Sequence, residues 1–528
     1  SARSPKRSKH LSDADVDREP TAIDYDRLTS WLLRHGADLS SICIRRSATS
    51  EGFGIYASRT IPADSQVAFL PAHLILSEHD ALASPLGQSF LAFNKTVELG
   101  EYAERHVCTK TILWLFVVQQ FFVQREEGKW WPYLRALPRA FDTPLFWTAE
   151  ERDWLRGTNL YFVIKEKEEE LRRDFLAASE VLKSQFPQVW GDDHHLKYLT
   201  LENYLWARTV CSSRAFPSDL DLVVQGRTTA AAKGDSGGVG KDDTHDRLGE
   251  VTAEDGSIPP CKCHLALWPM FDMLNHRRGQ SMTWDATRAD GVAFITGVPM
   301  EAGEEVFNSY GPKGNDELLL SYGFCLDIPS NPDDYFPIKL NFAADPLHAE
   351  KLDLLTRHAL LPYKHLYLLR HADPIPANLV AAMRILVATQ PELASMVAEQ
   401  VNPTTSPLST RNELVLLDTL VSLLNAKRAA ISESNDPSAA GASASFRARM
   451  AGIYRRGQAA ILDAALLAAR ERLADHVAQV MQSGGAISMQ DVAGDEEFWA
   501  DEMVEQLADV AEEQEWGHEE WVALWVVY

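Results

Sequence analysis

The sequence has 528 residues, 45% of them hydrophobic and 24% charged, the make-up of an ordinary globular chain long enough for more than one domain. A net charge of −24 and a pI near 5.1 argue against nucleic-acid binding, which needs a basic face. The longest apolar run, Thr111–Val123, is too short to span a bilayer and is broken by Gln119 and Gln120.

The negative charge would draw in a lysine-rich protein, and it serves solubility equally well. Six cysteines are too few for a disulfide framework, so a reducing compartment is expected: the cytoplasm, with the nucleus as the alternative. The polar N-terminus carries no apolar segment of the kind a secretory leader needs.

In chain order, residues 1–20 lack apolar periodicity and read as a disordered tail; its basic cluster Arg3, Lys6, Arg7 and Lys9 fits that tail better than a nuclear signal. Tyr25, Leu28, Trp31 and Leu32 follow helical spacing up to a stop at Gly36. Ile42–Arg45, Gly54–Ala57 and Gln66–Leu70 read as strands. Between the first two, Glu51, Gly52, Phe53 and Gly54 form a turn whose glycines would let backbone approach a ligand; by itself the same turn suits a hairpin.

Thr109–Gln124 is an apolar helix. The aromatics Trp130, Trp131, Tyr133, Phe141, Phe146 and Trp147 have little basic charge around them and read as packing rather than a base-stacking platform. Tyr161–Phe186 is a long amphipathic helix with a Lys/Glu face. Thr200 caps the next helix, whose stripe Leu201, Leu205 and Cys211 leads to Arg214.

Residues 225–260, rich in Gly, Ala, Asp, Ser and Thr, read as a flexible insertion. Cys261, Cys263 and His264 are spaced too tightly for a zinc pair and no second pair follows, so no metal is expected.

Leu265–Phe271 reads as a buried strand that breaks into polar Asp272, Asn275 and His276. Glu305–Tyr310 is a second strand, followed by a turn at Gly311, Pro312 and Gly314. Asn315 caps a short helix that Gly323 ends after Tyr322. From about residue 345, leucine- and alanine-rich helical periodicity runs through Leu355, Leu366, Val380–Val387, Leu414–Leu424 and Met450–Arg472, interrupted near 432–445 by a Ser/Ala/Pro-rich loop. An all-helical domain over 345–528 is expected, and its acidic end with Trp499, Trp516, Trp521 and Trp525 reads as a plain C-terminal helix before a docking site for a basic partner. No internal repeat is evident.

Taken together, WPMFDMLNH (268–276) and EEVFNSYGPKGNDELLLSYGF (304–324) resemble the SET-domain signature, an Asn-His pair followed by a Tyr-Gly turn and a second tyrosine before Gly-Phe. More narrowly the chain resembles the branch typified by the Rubisco large-subunit lysine methyltransferase, with fungal members acting on ribosomal proteins, elongation factor and cytochrome c. EGFGIYASRTIPADSQVAFLP is similar to the N-terminal SET half, LWARTVCSSRAF to the insert helix, and IYRRGQAAIL to the C-terminal substrate-binding module. The likeness runs over about residues 25–470 and is strongest over 200–340.

The resemblance implies an α+β fold: a SET β-fold over 21–340 with a helical insert near 105–215, a threaded knot-like core, and a separate helical domain. It implies S-adenosylmethionine (AdoMet) as methyl donor, S-adenosylhomocysteine (AdoHcy) as product, and a basic non-histone protein of the translation machinery as substrate, methylated on lysine by a monomer without nucleic acid or membrane. Histidine methylation, and a binding module that has lost catalysis, are the alternatives. By this likeness Tyr310 is the catalytic hydroxyl and Tyr322 shapes the lysine channel. Cofactor contacts fall to Glu51, Gly52, Phe53, Gly54, Arg214, Asp272, Asn275, His276, Tyr310 and Phe324. Arg214 would face the methionine carboxylate, Asn275 the amino-acid end, and the His276 backbone and Phe324 the adenine. Some members carry arginine where Tyr56 stands, so no carboxylate contact is assigned to that position.

Overall fold

The structure is a computed structural model that describes residues 18–47, 52–96, 106–192, 194–217, 265–285, 288, 290–327, 331–362, 365–432 and 444–482. Glu51, the 225–260 insertion, Cys261, Cys263, His264 and the four tryptophans of the acidic end lie outside the described residues. The chain divides into two compact units, the first holding 1–146, 164–313 and 320–323, the second 147–163, 314–319 and 324–528.

The first unit opens with helix α1 (Ala22–Arg34), whose first turn is closed by Thr21 and Asp24: the Thr21 amide donates to the Asp24 carboxylate at 2.8 Å. Arg18 and Glu19, expected in the disordered tail, are instead anchored. Arg18 pairs with the buried Asp24 at 2.7 Å, and the Glu19 carboxylate accepts from the Ala140 amide at 2.7 Å.

Three small sheets follow. Strands β1 (Ile42–Arg46) and β2 (Phe53–Ala57) form a hairpin, and the first sheet runs β1-β2-β10-β7, where β7 is Asn275–His276 and β10 is Glu305–Asn308. The second orders β3 (Ser65–Pro71), β9 (Gly291–Thr296) and β8 (Met282–Asp285); the third orders β4 (Leu76–Ser77), β6 (Leu265–Leu267) and β5 (Ala215–Pro217). Strand β2 is central in its sheet and nearly all apolar, with Ile55 and Ala57 fully buried, as expected of a strand covered on both faces.

Strand β6 ends at Leu267, short of the expected Phe271. Met270 adopts φ +81°, a conformation a strand cannot hold, and the chain turns through a 3₁₀ piece at Phe271–Met273 before β7. That break delivers Asn275 and His276 to the sheet, paired in parallel with Phe307 and Asn308.

Helix α2 (Glu78–Ala83) and α3 (Pro85–Thr96) lead to α4 (Thr109–Val118), which is buried along its whole length and continues as a π turn over Gln119–Gln124. Helix α5 spans Asn159–Gln185, its start through Val163 belonging to the second unit. Helix α6 (Leu201–Arg214) begins at Thr200, whose hydroxyl accepts from the Asn203 amide at 3.2 Å, and it ends at Arg214.

In the second unit Gly314, not Asn315, is the N-cap of the short helical turn Asn315–Glu317. Asn315 is fully buried and its side chain is otherwise engaged: its amide donates to the Leu326 carbonyl at 2.9 Å and to Asp334 at 3.1 Å, and its oxygen accepts from the Leu326 amide at 2.9 Å. Helices α7 (His348–Arg357), α8 (Ala377–Leu386), α9 (Gln390–Ala398), α10 (Thr410–Ser432) and α11 (Phe446–Gln482) surround a core with Leu355, Leu379, Leu420 and Leu462 at its centre.

The C-terminal region is helical, with one correction. Leu366, read as part of a helix, belongs to strand β12 (Leu366–Leu369), which pairs antiparallel with β11 (Phe336–Lys339). Burial alternates along it, Tyr367 and Leu369 facing the core, and a two-residue period overrides the leucine content.

Candidate active site

Three chain segments meet where β7, β10 and the end of α6 come together. The parallel register sets Asn275 and His276 beside Phe307 and Asn308, and the chain leaving β10 carries Tyr310 back over His276. The Tyr310 amide donates to His276 Nδ1 at 3.1 Å, and the two rings stack with centroids 4.9 Å apart. Tyr322 stacks on the other tyrosine at 4.7 Å and 23°, extending the row to three rings.

The Tyr310 hydroxyl donates to the Leu274 carbonyl at 2.8 Å. Burial pushes its pKa up to about 12 against the opposing pull of Arg214, so the hydroxyl keeps its proton at neutral pH. Burial also drives His276 down to about 4, holding the imidazole neutral. With Nδ1 accepting, the ring proton sits on Nε2.

Arg214 reaches Asp272 from the end of α6, Nη1 donating to its backbone oxygen at 3.0 Å and its carboxylate at 3.3 Å. Tyr133 donates to the same carboxylate at 2.9 Å. Burial raises the Asp272 pKa while the Arg214 cation opposes it, and Arg214 itself stays charged. Two atoms of this buried cluster, Arg214 Nε and Asp272 Oδ1, have no hydrogen-bond partner among the described residues.

On the β2 side, Gly52 leaves open space where a side chain would stand. A Cβ on Gly54 would lie 2.6 Å from Glu305 Oε1 and 3.1 Å from Asn275 Nδ2, so a side chain there would push these two groups aside. Phe53 packs on Tyr25 of α1, centroids 4.3 Å apart.

Of the residues singled out from the sequence, Arg214 touches Asp272, Asn275 lies beside Gly54, His276 stacks on Tyr310, and Tyr310 stacks on Tyr322. Glu51 lies outside the described residues. Phe324 belongs to the second unit, half-buried next to the buried Cys325.

Sequence reasoning missed Tyr133, Tyr25 and Glu305. Tyr133 sits in an aromatic stretch read as packing; the only hint was a hydroxyl among apolar neighbours, since a buried Tyr needs a partner. Glu305 is the one acidic residue of its strand, and the register pairing it with Tyr56 is not a local property.

A SET-domain family model matches residues 52–311, and a model described as Rubisco LSMT substrate-binding matches 343–462. The ribosomal lysine N-methyltransferase set10 of Schizosaccharomyces pombe is 28% identical over 227 residues, 43% of this chain and 33% of that protein. The actin-histidine N-methyltransferase of Gallus gallus is 25% identical over 374 residues, 70% of this chain and 54% of that protein. The chain therefore spans between a third and about half the length of these curated relatives.

Among solved structures, the SET domain of LSMT bound to lysine and AdoHcy superposes with a TM-score of 0.63 at 18% identity, covering 86% of this chain and 92% of that one. Rubisco LSMT bound to AdoMet gives 0.62 at 18% identity, covering 86% and 93%. At that identity the likeness is one of fold. The fold, the two consecutive family matches and the Asn-His and Tyr segments brought together in one sheet agree: the chain belongs to the SET-domain family, in the branch that carries a Rubisco LSMT-type substrate-binding region.

Proposed function

We propose that the protein is an AdoMet-dependent protein-lysine N-methyltransferase acting on a basic, non-histone protein of the translation machinery. The observation that carries this reading is the stack of Tyr310 on Tyr322 at 4.7 Å, with the Tyr310 hydroxyl tied to the Leu274 carbonyl and a neutral His276 behind it. A wall of flat aromatic rings suits a slim alkyl amine.

The residues present fit the donor. Arg214 offers an unpartnered buried Nε to a carboxylate, Asn275 offers an amide, and the space over Gly52 leaves room for a ligand along β2. AdoMet supplies a methyl group on a sulfonium, open to in-line attack by an amine. The chain's own task is to present that amine neutral and aligned. A free lysine has a pKa near 10.4, so removing its proton at pH 7 costs about 4.6 kcal/mol. Aromatic walls lower that cost by desolvating the ammonium. With its pKa at about 12, Tyr310 is no base, and its oxygen lone pairs can accept from the amine while its proton stays on Leu274. Tyr133 and Arg214 hold the Asp272 segment that leads into β7.

A second reading, histidine methylation, is favoured by the 25% match to an actin-histidine enzyme over 70% of the chain, longer than the match to the ribosomal lysine enzyme. The test is transfer of labelled methyl groups from AdoMet into an extract, with the modified residue located by mass spectrometry. Label on lysine of a basic protein supports the proposal, label on histidine replaces it, and no incorporation with normal AdoMet binding leaves a non-catalytic binding module.

A further inference from the structure

Arg214 and Asp272 form an ion pair that stops short of the geometry such pairs usually take. A guanidinium and a carboxylate commonly meet through two parallel N–H···O bonds. Here the side chains touch through one atom each, Arg214 Nη1 donating to Asp272 Oδ2 at 3.3 Å, while Nη1 also donates to the Asp272 backbone oxygen at 3.0 Å. Asp272 Oδ1 and Arg214 Nε have no hydrogen-bond partner among the described residues. A third residue accounts for the offset. Tyr133, fully buried in the short helix Trp131–Leu134, donates to the same Oδ2 at 2.9 Å and holds the carboxylate by the oxygen that Arg214 shares.

That restraint decides which donors Arg214 has left. A guanidinium carries five N–H groups, two on each Nη and one on Nε. Asp272 takes up both hydrogens of Nη1, one on its backbone oxygen and one on its side chain. Nε and Nη2, side by side along one edge, make no hydrogen bond among the described residues, and together they are a fork of the shape that grips a carboxylate. Without the Tyr133 bond, Asp272 would turn about its Cβ–Cγ bond to satisfy Oδ1 on Nη2, closing a two-point pair and breaking up the fork. We propose that Tyr133 is a positioning residue for the methyl donor: by holding Asp272 on Nη1 alone, it keeps the Nε–Nη2 edge of Arg214 open for the donor's carboxylate. The proposal rests on the AdoMet reading above, in which Arg214 answers that carboxylate.

The test uses the full chain and two probes, AdoHcy and its decarboxylated analogue, with affinities from calorimetry. Wild type should prefer AdoHcy by at least about tenfold, the scale of a charge-assisted hydrogen bond. Tyr133→Phe should lose most of that preference while binding the decarboxylated analogue within about twofold of wild type. A variant that keeps the wild-type preference overturns the proposal, as does one that weakens both probes alike, which would mark Tyr133 as a packing residue. Because Tyr133→Phe strips a donor from a buried carboxylate, the double variant Tyr133→Phe/Asp272→Asn is measured beside it. An amide competes for the fork far less than a carboxylate does, so the double variant should regain the preference for AdoHcy. Should Tyr133→Phe fail to fold, the double variant decides: preference present supports the proposal, preference absent refutes it. Wild type that binds both probes alike removes Arg214 as the carboxylate's partner, and this assignment with it, while the AdoMet reading stands. Wild type that binds neither probe brings that reading down as well.

Discussion

Tyr310 holds a proton it does not readily release, and that decides what the residue can do. Burial lifts its pKa to about 12 and the hydroxyl is committed to Leu274, so its expected contribution is alignment. Tyr310→Phe should lower the single-turnover methylation rate by about 10²-fold or more, on the order of 3 kcal/mol of transition-state stabilisation, with AdoHcy affinity unchanged. Losing one hydrogen bond to Leu274 should cost stability only about 1 kcal/mol. A mutant that turns over at the wild-type rate would reduce Tyr310 to packing. His276 offers a separate handle. Its pKa falls to about 4 through burial, so between about pH 6.5 and 4 the unfolded chain binds the extra proton and stability drops as pH falls. After discounting for its partial exposure the loss should be about 2 kcal/mol or less. Melting curves over that window should show the slope in wild type and a shallower one in His276→Asn.

At the scale of elements, the turn Asn315–Glu317 behaves in the opposite sense. Burial raises Asp316 to about 7 although Tyr335 donates to it at 2.6 Å, and its Oδ1 has no hydrogen-bond partner among the described residues. The folded state therefore keeps a proton that the unfolded chain loses near 3.8, and stability falls as pH rises from about 4 through 7. Asp316→Asn should remove that slope and raise stability at pH 8 by on the order of 2–4 kcal/mol. A variant that is no more stable at pH 8 than at pH 5 relative to wild type would refute it.

The same turn marks the boundary of what the sequence discloses. Its glycines and final Gly323 were legible, because caps and stops act within one turn of chain. That Asn315 would be drawn inward to Asp334 and Leu326 was not, since its partners come from a later loop. The strands read as 42–45, 54–57 and 66–70, the Thr200 cap and the end of the long helix read at Phe186 fall within a residue of where the structure has them, for the same local reason. Strand β12 was missed because leucine serves helix and strand alike in a four-residue window. At the site, Asn275, His276, Tyr310 and Tyr322 stand in two motifs, whereas the Tyr133–Asp272 and Glu305–Tyr56 bonds join segments far apart in the chain and left no local trace.

At the scale of the whole molecule, β5 and β6 are antiparallel partners with Pro217 opposite Leu265, so the chain between them leaves and returns at one place. Replacing residues 225–260 by a short Gly/Ser linker should leave AdoHcy affinity nearly intact, because each doubling of loop length changes closure by only about 0.6 kcal/mol. Calorimetry on the shortened protein checks this, and a large loss of affinity would tie the segment to the site.

Every sheet of the first unit draws strands from both sides of that point: β1 and β2 with β7 and β10, β3 with β8 and β9, β4 and β5 with β6. Gly54 and Arg214 precede it; Asn275, His276 and Tyr310 follow it. A polypeptide severed there would yield two fragments, each with strands of every sheet and residues of the site. Neither should work alone, and the methyl transfer proposed above would report when two separately expressed pieces had found one another.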